Sequence, residues 1–244
     1  MGGALAARWK ETGICENILI VDPTGGDIAG AAGIPATFHP GIIVFAVKPQ
    51  VLKDIAPDYR GFADSAFFLS IAAGKPILFF EQHLGETAVI VRCMPNLPAS
   101  IGKGITVACA NAHATDIQKQ QAEKLMQAVG DVLWVKDEKL LDPITALSGS
   151  GPAYVFFLIE LLTQAGIDIG LPTSIAEILA RKTVIGSAAL AAETNLSAAT
   201  LRENVTSPGG TTEAALKVLM DGRAQKIFSS ALRDALKRAQ DLSG

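Results

Sequence analysis

The chain has 244 residues, of which 49% are hydrophobic and 18% are charged. This composition supplies a substantial core and excludes a disordered chain, while the length allows one large domain or two small ones. The 21 basic and 24 acidic residues give a net charge of −3. No basic excess therefore indicates a nucleic-acid partner or an anionic membrane surface.

The mean hydropathy of +0.34 is high for a soluble protein. The longest apolar run, residues 153–159, is far shorter than the roughly 20 residues that a transmembrane helix needs. We therefore expect no membrane partner, and we attribute the hydropathy to helices buried on several faces. The N-terminus lacks the pattern of a secretory signal, which favours a cytoplasmic protein. The cysteines and histidines lack the spacing of disulfides or metal ligands, so no metal site is predicted.

The first half of the chain alternates short apolar runs with helical patterns. It opens with MGGALAARWK, which is helical in pattern and has no strand before it. We predict strands at residues 17–21, 41–47, 67–72, 88–92, 105–110 and 131–135. Consecutive apolar positions indicate strands buried on both faces, as in a parallel sheet covered by helices. With a helix over 115–129 that starts at Thr115 and Asp116, this alternation predicts a doubly wound α/β domain.

From residue 143 onward no run resembles a strand. Helices are predicted from Pro152 to about residue 165, from Pro172, and from about Arg223 to the end. We therefore predict an α/β domain over residues 1–138 and an all-helical domain over residues 139–244. Residues 153–162 carry one charge in ten, so that helix is buried, either in a monomer core or, as we expect, at a dimer interface.

The segment NVTSPGGTTE, residues 204–213, lies between two helical stretches. Its glycines permit a tight turn and close approach to a ligand. The free amides of a first helical turn, with the hydroxyls of Ser207, Thr211 and Thr212, form a cradle for an anion such as a carboxylate. The alternative is an ordinary capped turn between helices.

Three predicted strands end in segments suited to a nucleotide, which lies at the carboxyl ends of such a sheet. Lys48 supplies a charge after the first, small residues 70–74 follow the second, and Asn96 stands between two prolines after the third. The alternatives are a solvated loop lysine and plain connecting loops. The segment SGSGP, residues 148–152, is interpreted as the start of a helix.

These segments, AVKPQ, SIAAG, VRCMPNLPASIGKG, ALSGSGPAYVF and NVTSPGGTTEAAL, resemble the pyrroline-5-carboxylate reductase family in order along nearly the whole chain. The resemblance implies a Rossmann-like NAD(P)-binding domain followed by a helical dimerisation and substrate-binding domain, assembled as a homodimer or larger homo-oligomer with the active site completed across the dimer. It implies reduction of 1-pyrroline-5-carboxylate to L-proline with NADPH or NADH, the last step of proline biosynthesis.

The resemblance also implies roles for individual residues. Ser207 and the amides of Gly210, Thr211 and Thr212 would hold the substrate carboxylate, with Val205 in the same loop. Thr212 matches the proposed proton donor to the imine nitrogen, although a threonine hydroxyl is a poor acid and could instead orient water or a protonated iminium. The implied cofactor-side residues are Met1, Gly2, Asp22, Thr24, Ala46, Val47, Lys48, Pro49, Ala72, Ala73, Met94 and Asn96.

The sequence departs from the family pattern near its start. Only Met1-Gly2-Gly3 corresponds to the phosphate-binding loop, the first strand and leading glycines are not present, and the helix before Val44 is short. We therefore expect reduced stability of the first domain, and one alternative is an inactive, cofactor-deficient relative or truncated product. A weaker alternative is a β-hydroxyacid-type dehydrogenase with Lys182 as its catalytic lysine. Asp22 favours NADH, Thr24 and the glycines after it suit a phosphate, and the coenzyme choice stays open.

Overall fold

The computed structural model describes residues 1–243. Its centre is a five-stranded sheet in the order β1-β2-β3-β4-β5. The strands are β1 Ile42–Phe45, β2 Phe67–Ser70, β3 Ile90–Pro95, β4 Gly104–Ala110 and β5 Gly130–Trp134. The pairs β1–β2, β2–β3 and β4–β5 are parallel, which brings the carboxyl ends of β1, β2 and β3 to one edge of the sheet.

The prediction of a wholly parallel sheet is wrong at one position, because β4 runs antiparallel to β3. Only residues 96–103 connect these strands, and a parallel crossover needs a dozen residues or more. The short connection therefore allows only the antiparallel pairing.

The predicted strand over residues 17–21 does not join this sheet. Val21 forms only an isolated bridge with Ile28, and the Ile20 carbonyl accepts hydrogen bonds from the amides of Asp27 and Ile28. The Asp27 carboxylate also accepts from the Ile20 amide at 2.7 Å. The backbone amide and carbonyl of Ile20 are thus paired within this loop and not with a strand of the sheet.

Two apolar clusters cover the two faces of the sheet. On β2, Phe68 contributes to one cluster, whereas Phe67 and Leu69 contribute to the other, as the alternation of side chains along a strand requires. Helix α1, Gly2–Thr12, packs on the second face through Leu5 and Trp9.

After α1, the helices as far as residue 144 are α2 Leu52–Ile55, α3 Ile77–Leu84, α4 Asp116–Gln127 and α5 Leu141–Ile144. Helix α4 begins as predicted at Thr115, whose hydroxyl accepts from the Gln118 amide while the Gln118 side chain accepts from the Thr115 amide. A π-helical turn, Thr145–Gly149, follows α5. The remaining helices are α6 Gly151–Asp168, α7 Thr173–Glu193, α8 Ala198–Asn204, α9 Thr211–Leu219 and α10 Arg223–Ser243.

The chain forms two compact units, Met1–Gly151 with the residues from Asp234 onward, and Pro152–Arg233. The predicted domain boundary between residues 138 and 139 stays a prediction. In the second unit, none of the described residues of α6 is buried, so its apolar side chains are left uncovered. They include Val155, Phe156, Phe157, Leu158, Leu161 and Leu162.

The helical stretch Glu138–Asp168 is long and apolar enough to cross a membrane, judged by length and composition, and 6% of its most apolar window is buried. Among residues 1–243, this is the single helical stretch that meets these criteria. Our expectation of no membrane partner therefore stays a prediction.

Candidate functional site

The start of α1 lies against the carboxyl end of β1. A Cβ atom on Gly2 would stand 2.7 Å from the Cβ of Ala46 and 3.3 Å from its carbonyl oxygen. Glycine at this position therefore allows a backbone contact that a side chain would prevent. No side chain caps the first turn of α1, so its amides are available to an anion. The structure thus brings the predicted cofactor-side residues Met1, Gly2 and Ala46 together.

The segments after β1 and β2 lie on the same sheet edge. Val47 and Lys48 are exposed, and Pro49 begins a short helical turn, Pro49–Val51. After β2, the Ser70 hydroxyl accepts from the Ala72 amide at 3.2 Å, so it holds the backbone turn that carries Ala72 and Ala73. Small side chains along this turn suit a flat ligand, and such sheets bind ligands at this edge.

Asn96 follows β3 and is hydrogen-bonded within the protein. Its Oδ1 accepts from the Ile105 amide at 3.0 Å, and its Nδ2 donates to the Ser148 Oγ at 3.4 Å. One Nδ2 hydrogen and one Oδ1 lone pair remain for a ligand. Met94, two residues earlier, is half-buried beside the same π-helical turn. No pattern of neighbouring residues in the sequence predicts that Met94 and Asn96 contact residues 145–149.

Asp22 and Thr24 lie together in the loop that replaces the predicted strand. The Asp22 carboxylate accepts from the Thr24 hydroxyl at 2.7 Å and from the Thr24 amide at 2.8 Å. These hydrogen bonds hold the pKa of the Asp22 carboxyl below its ordinary value, and the bond from the Thr24 hydroxyl has the largest effect. This is the geometry of an Asx turn, so a contact of either side chain with a nucleotide stays a prediction.

In the second unit, residues 205–210 form a tight turn into α9. Gly209 has a φ of +71°, a left-handed conformation that favours glycine. The Gly210 amide donates to the Ser207 carbonyl at 3.0 Å and is therefore engaged. No side chain caps the N-terminus of α9. The amides of Thr211 and Thr212, in its first turn, are therefore left without a capping side chain.

The side chains of residues 205–213, the candidate substrate loop, include the hydroxyls that an anion cradle needs. Val205, Ser207 and Thr211 are exposed, and Thr212 is half-buried. Glu213, which the sequence reasoning missed, accepts from the Gly209 amide at 2.6 Å and closes the turn. The sequence did carry a signal for this contact, because an acidic residue in a first helical turn commonly accepts hydrogen bonds from the amides before it.

A partly buried ion pair, also missed by the sequence reasoning, joins β3 to the helical stretch that follows β5. Arg92 Nη1 lies 2.8 Å from Glu138 Oε1, and Arg92 Nη2 lies 4.0 Å from Asp142 Oδ1. Glu138 Oε1 also accepts from the Ile77 amide at 2.8 Å, at the start of α3. Forty-six residues separate Arg92 from Glu138, and no local pattern announces such a pairing.

The mixed sheet, the glycine contact at its carboxyl edge and the helical second half are features of the dinucleotide-binding class of α/β proteins. Comparison with known proteins supports this class. A family model described as "Pyrroline-5-carboxylate reductase dimerisation" matches residues 138–242.

Among curated relatives, the pyrroline-5-carboxylate reductase of Pseudomonas aeruginosa is 40% identical over 206 residues, which cover 83% of this chain and 74% of that protein. The enzyme of Arabidopsis thaliana is 37% identical over 203 residues, covering 83% and 73%. The chain belongs to the pyrroline-5-carboxylate reductase family, as the resemblance predicts.

Two solved structures agree with this assignment. The enzyme of Coxiella burnetii superposes with a TM-score of 0.80 at 42% identity, covering 84% of this chain and 76% of that one. The Plasmodium falciparum enzyme, solved with NADP bound, gives a TM-score of 0.88 at 27% identity, covering 100% and 95%. The predicted Rossmann-like class is confirmed.

Proposed function

We propose that this chain reduces 1-pyrroline-5-carboxylate to L-proline with NADPH or NADH. The observation that carries the proposal is the identity of 40% to a pyrroline-5-carboxylate reductase over 83% of the chain. The reaction needs a dinucleotide site, an anchor for the substrate carboxylate and a proton for the imine nitrogen. Residues with each of these capacities are present in the chain.

The sheet edge fits a dinucleotide. The Gly2 contact leaves no room for a Cβ, and the uncapped amides of α1 suit a phosphate charge. Ala46, Val47, Lys48 and Pro49 would line one side, as in the predicted set. Ala72, Ala73, Met94 and Asn96 would line the other. The bound cofactor supplies the hydride, and the protein's contribution is to fix its position.

The substrate loop fits a carboxylate. Thr211 and Thr212 supply amides and hydroxyls, and Ser207 supplies a third hydroxyl. The Gly210 amide already donates to Ser207, so Gly210 contributes the shape of the turn. Glu213 keeps the turn closed through the Gly209 amide, which holds the cradle before the substrate binds.

Thr212 is proposed to serve the imine nitrogen. Its hydroxyl is on the first turn of α9 and is half-buried. A threonine hydroxyl is too weak an acid to protonate an imine alone. We therefore assign it the orientation of a water molecule or of an iminium that is already protonated.

The proposed assembly is a homodimer or larger homo-oligomer formed through residues 139–244, in the cytoplasm. The uncovered apolar side chains of α6 support it, since a patch of this kind marks an interaction surface. The match of residues 138–242 to a dimerisation family supports it as well.

The test follows the oxidation of NADPH and of NADH after addition of 1-pyrroline-5-carboxylate. Turnover with either cofactor is expected, and Thr212→Val should lower kcat more than it raises the KM for the substrate. Thr200→Val, on α8 and outside the loop, is the control. A folded protein that binds dinucleotide but gives no turnover contradicts the proposal, and one that binds neither cofactor is the inactive relative considered above.

A further inference from the structure

The turn Thr145–Gly149 departs from α-helical geometry. The Ser150 amide donates to the Thr145 carbonyl at 2.9 Å, five residues back, which is the hydrogen bond of a π-helix. The Thr145 hydroxyl donates to the Leu141 carbonyl at 2.7 Å and supports the same turn. Single π-helical turns are rare and occur frequently at functional sites. This one contains Ser148 and Gly149, the first two residues of the SGSGP segment, which the proposed function leaves without a role.

The π-helical turn packs against the carboxyl end of β3. A Cβ on Gly149 would stand 2.7 Å from Cε of Met94, with the next neighbour, Thr145 Cγ2, at 3.6 Å. The methyl group of Met94 therefore rests on the bare backbone of Gly149. Met94 is half-buried, so part of the residue remains accessible to a ligand.

Ser148, the residue before Gly149, contacts Asn96, which is also in the predicted cofactor-side set. Ser148 Oγ accepts from Asn96 Nδ2 at 3.4 Å, and Asn96 Oδ1 accepts from the Ile105 amide. The Ile105 amide, which can only donate, fixes the position of Oδ1, and Ser148 contacts the Nδ2 end of the same side chain. Consecutive residues of one irregular turn thus hold Met94 and Asn96.

We propose that the π-helical turn positions the cofactor-side residues, Gly149 through Met94 and Ser148 through Asn96. The inference rests on the proposed function, because it takes these two side chains to contact the nicotinamide dinucleotide. Gly149 and Ser148 are positioning residues that act through their neighbours. An unbroken α-helix would place different backbone atoms against Met94, and any residue with a Cβ at position 149 displaces its methyl group.

The test compares Gly149→Ala with Gly151→Ala. The two glycines are two residues apart in the same segment, but a Cβ at position 151 meets no atom within 4 Å. Neither has a positive φ, so alanine is conformationally acceptable at both. Since the atom displaced at position 149 ends a flexible side chain, Gly149→Ala should fold, and matching thermal unfolding midpoints check this.

In Gly149→Ala we expect the dissociation constant and KM for NAD(P)H to rise about tenfold, while the KM for 1-pyrroline-5-carboxylate stays within about twofold. Gly151→Ala should match the native chain. Titration of nicotinamide fluorescence measures binding without turnover, so a native chain that binds no dinucleotide overturns the proposed function, and this inference with it. A native chain that binds, with Gly149→Ala unchanged, overturns this inference alone.

A double-mutant cycle with Met94→Ala identifies the route of the effect. If Gly149 acts through Met94, Gly149→Ala should change cofactor affinity less than about twofold once the thioether is removed. An undiminished loss in that background would contradict the inference.

Ser148 provides a second variant that adds no bulk. Ser148→Ala should weaken NAD(P)H binding several-fold, and Ser148→Thr, which keeps a hydroxyl, should restore it. Equal binding by the alanine, threonine and native forms would remove Ser148 from the positioning role.

Discussion

Gly2 illustrates how one missing Cβ can decide whether a ligand site forms. In Gly2→Ala, the new atom meets the Cβ and carbonyl oxygen of Ala46, which are fixed by the backbone and cannot rotate away. We expect the start of α1 to move and the affinity for NAD(P)H to fall at least about tenfold. Gly61→Ala is the matched control, because Gly61 lies outside the segment that corresponds to the phosphate-binding loop and a Cβ there meets no atom within 4 Å. Equal affinities for the two variants in a fluorescence titration would contradict this reading of the contact.

Cys93 makes stability depend on pH in the alkaline range. Burial, and then neighbouring Cys109, raise the pKa of its thiol from 9.0 to about 12. The folded chain retains this proton where the unfolded chain has lost it. The stabilising contribution is therefore complete below pH 9 and is lost as the pH rises toward 12, by up to about 1.4 kcal/mol per pH unit. Urea unfolding from pH 7 to 10.5 should show the difference between the native chain and Cys93→Ala narrowing above pH 9, whereas parallel curves would exclude the linkage.

Glu138 is the point at which β3, α3 and the helical stretch after β5 are joined. Glu138→Ala removes the nearer of the two carboxylates beside buried Arg92, leaving Asp142 at 4.0 Å, and it removes the acceptor of the Ile77 amide. Breaking a buried pair from one side typically costs about 3–5 kcal/mol, and partial exposure of Glu138 places the expected loss near about 3 kcal/mol. Denaturant unfolding measures it, with exposed Glu86→Ala expected within about 0.5 kcal/mol of the native chain. A loss for Glu138→Ala no greater than this control would show the pair to be energetically neutral.

The helices and strands that sequence reasoning identified are those with local signals. Helix α4 begins at Thr115 because Thr115 and Gln118 cap each other, and both residues are visible in the sequence. The direction of β4 depends on the length of its connection and not on its apolar pattern. Residues 17–21 look like a buried strand, but the Asp27 carboxylate and the Ile20 backbone hold them in a loop.

In the candidate site, too, sequence reasoning identifies the parts that have local signals. The candidate substrate loop is recognisable because its glycines and hydroxyl residues are contiguous, and α9 begins at Thr211, within that segment. The contact of Gly149 with Met94 and the pairing of Arg92 with Glu138 join residues far apart in the chain. They follow from tertiary packing, which no run of neighbouring residues records.

The exposed apolar side chains of α6 lead to a prediction about the oligomeric state of the protein. Phe156 is 52% exposed in the single chain, and Phe156→Asp would bury an unpaired charge if a second copy covers this helix. We expect this variant to sediment at a lower mass than the native chain, measured by analytical ultracentrifugation across a range of protein concentrations. Ile117→Asp is the matched control, since Ile117 is 69% exposed on α4, outside the residues matched by the dimerisation family. Association that is unchanged in Phe156→Asp, or lost equally in both variants, would place the interface elsewhere.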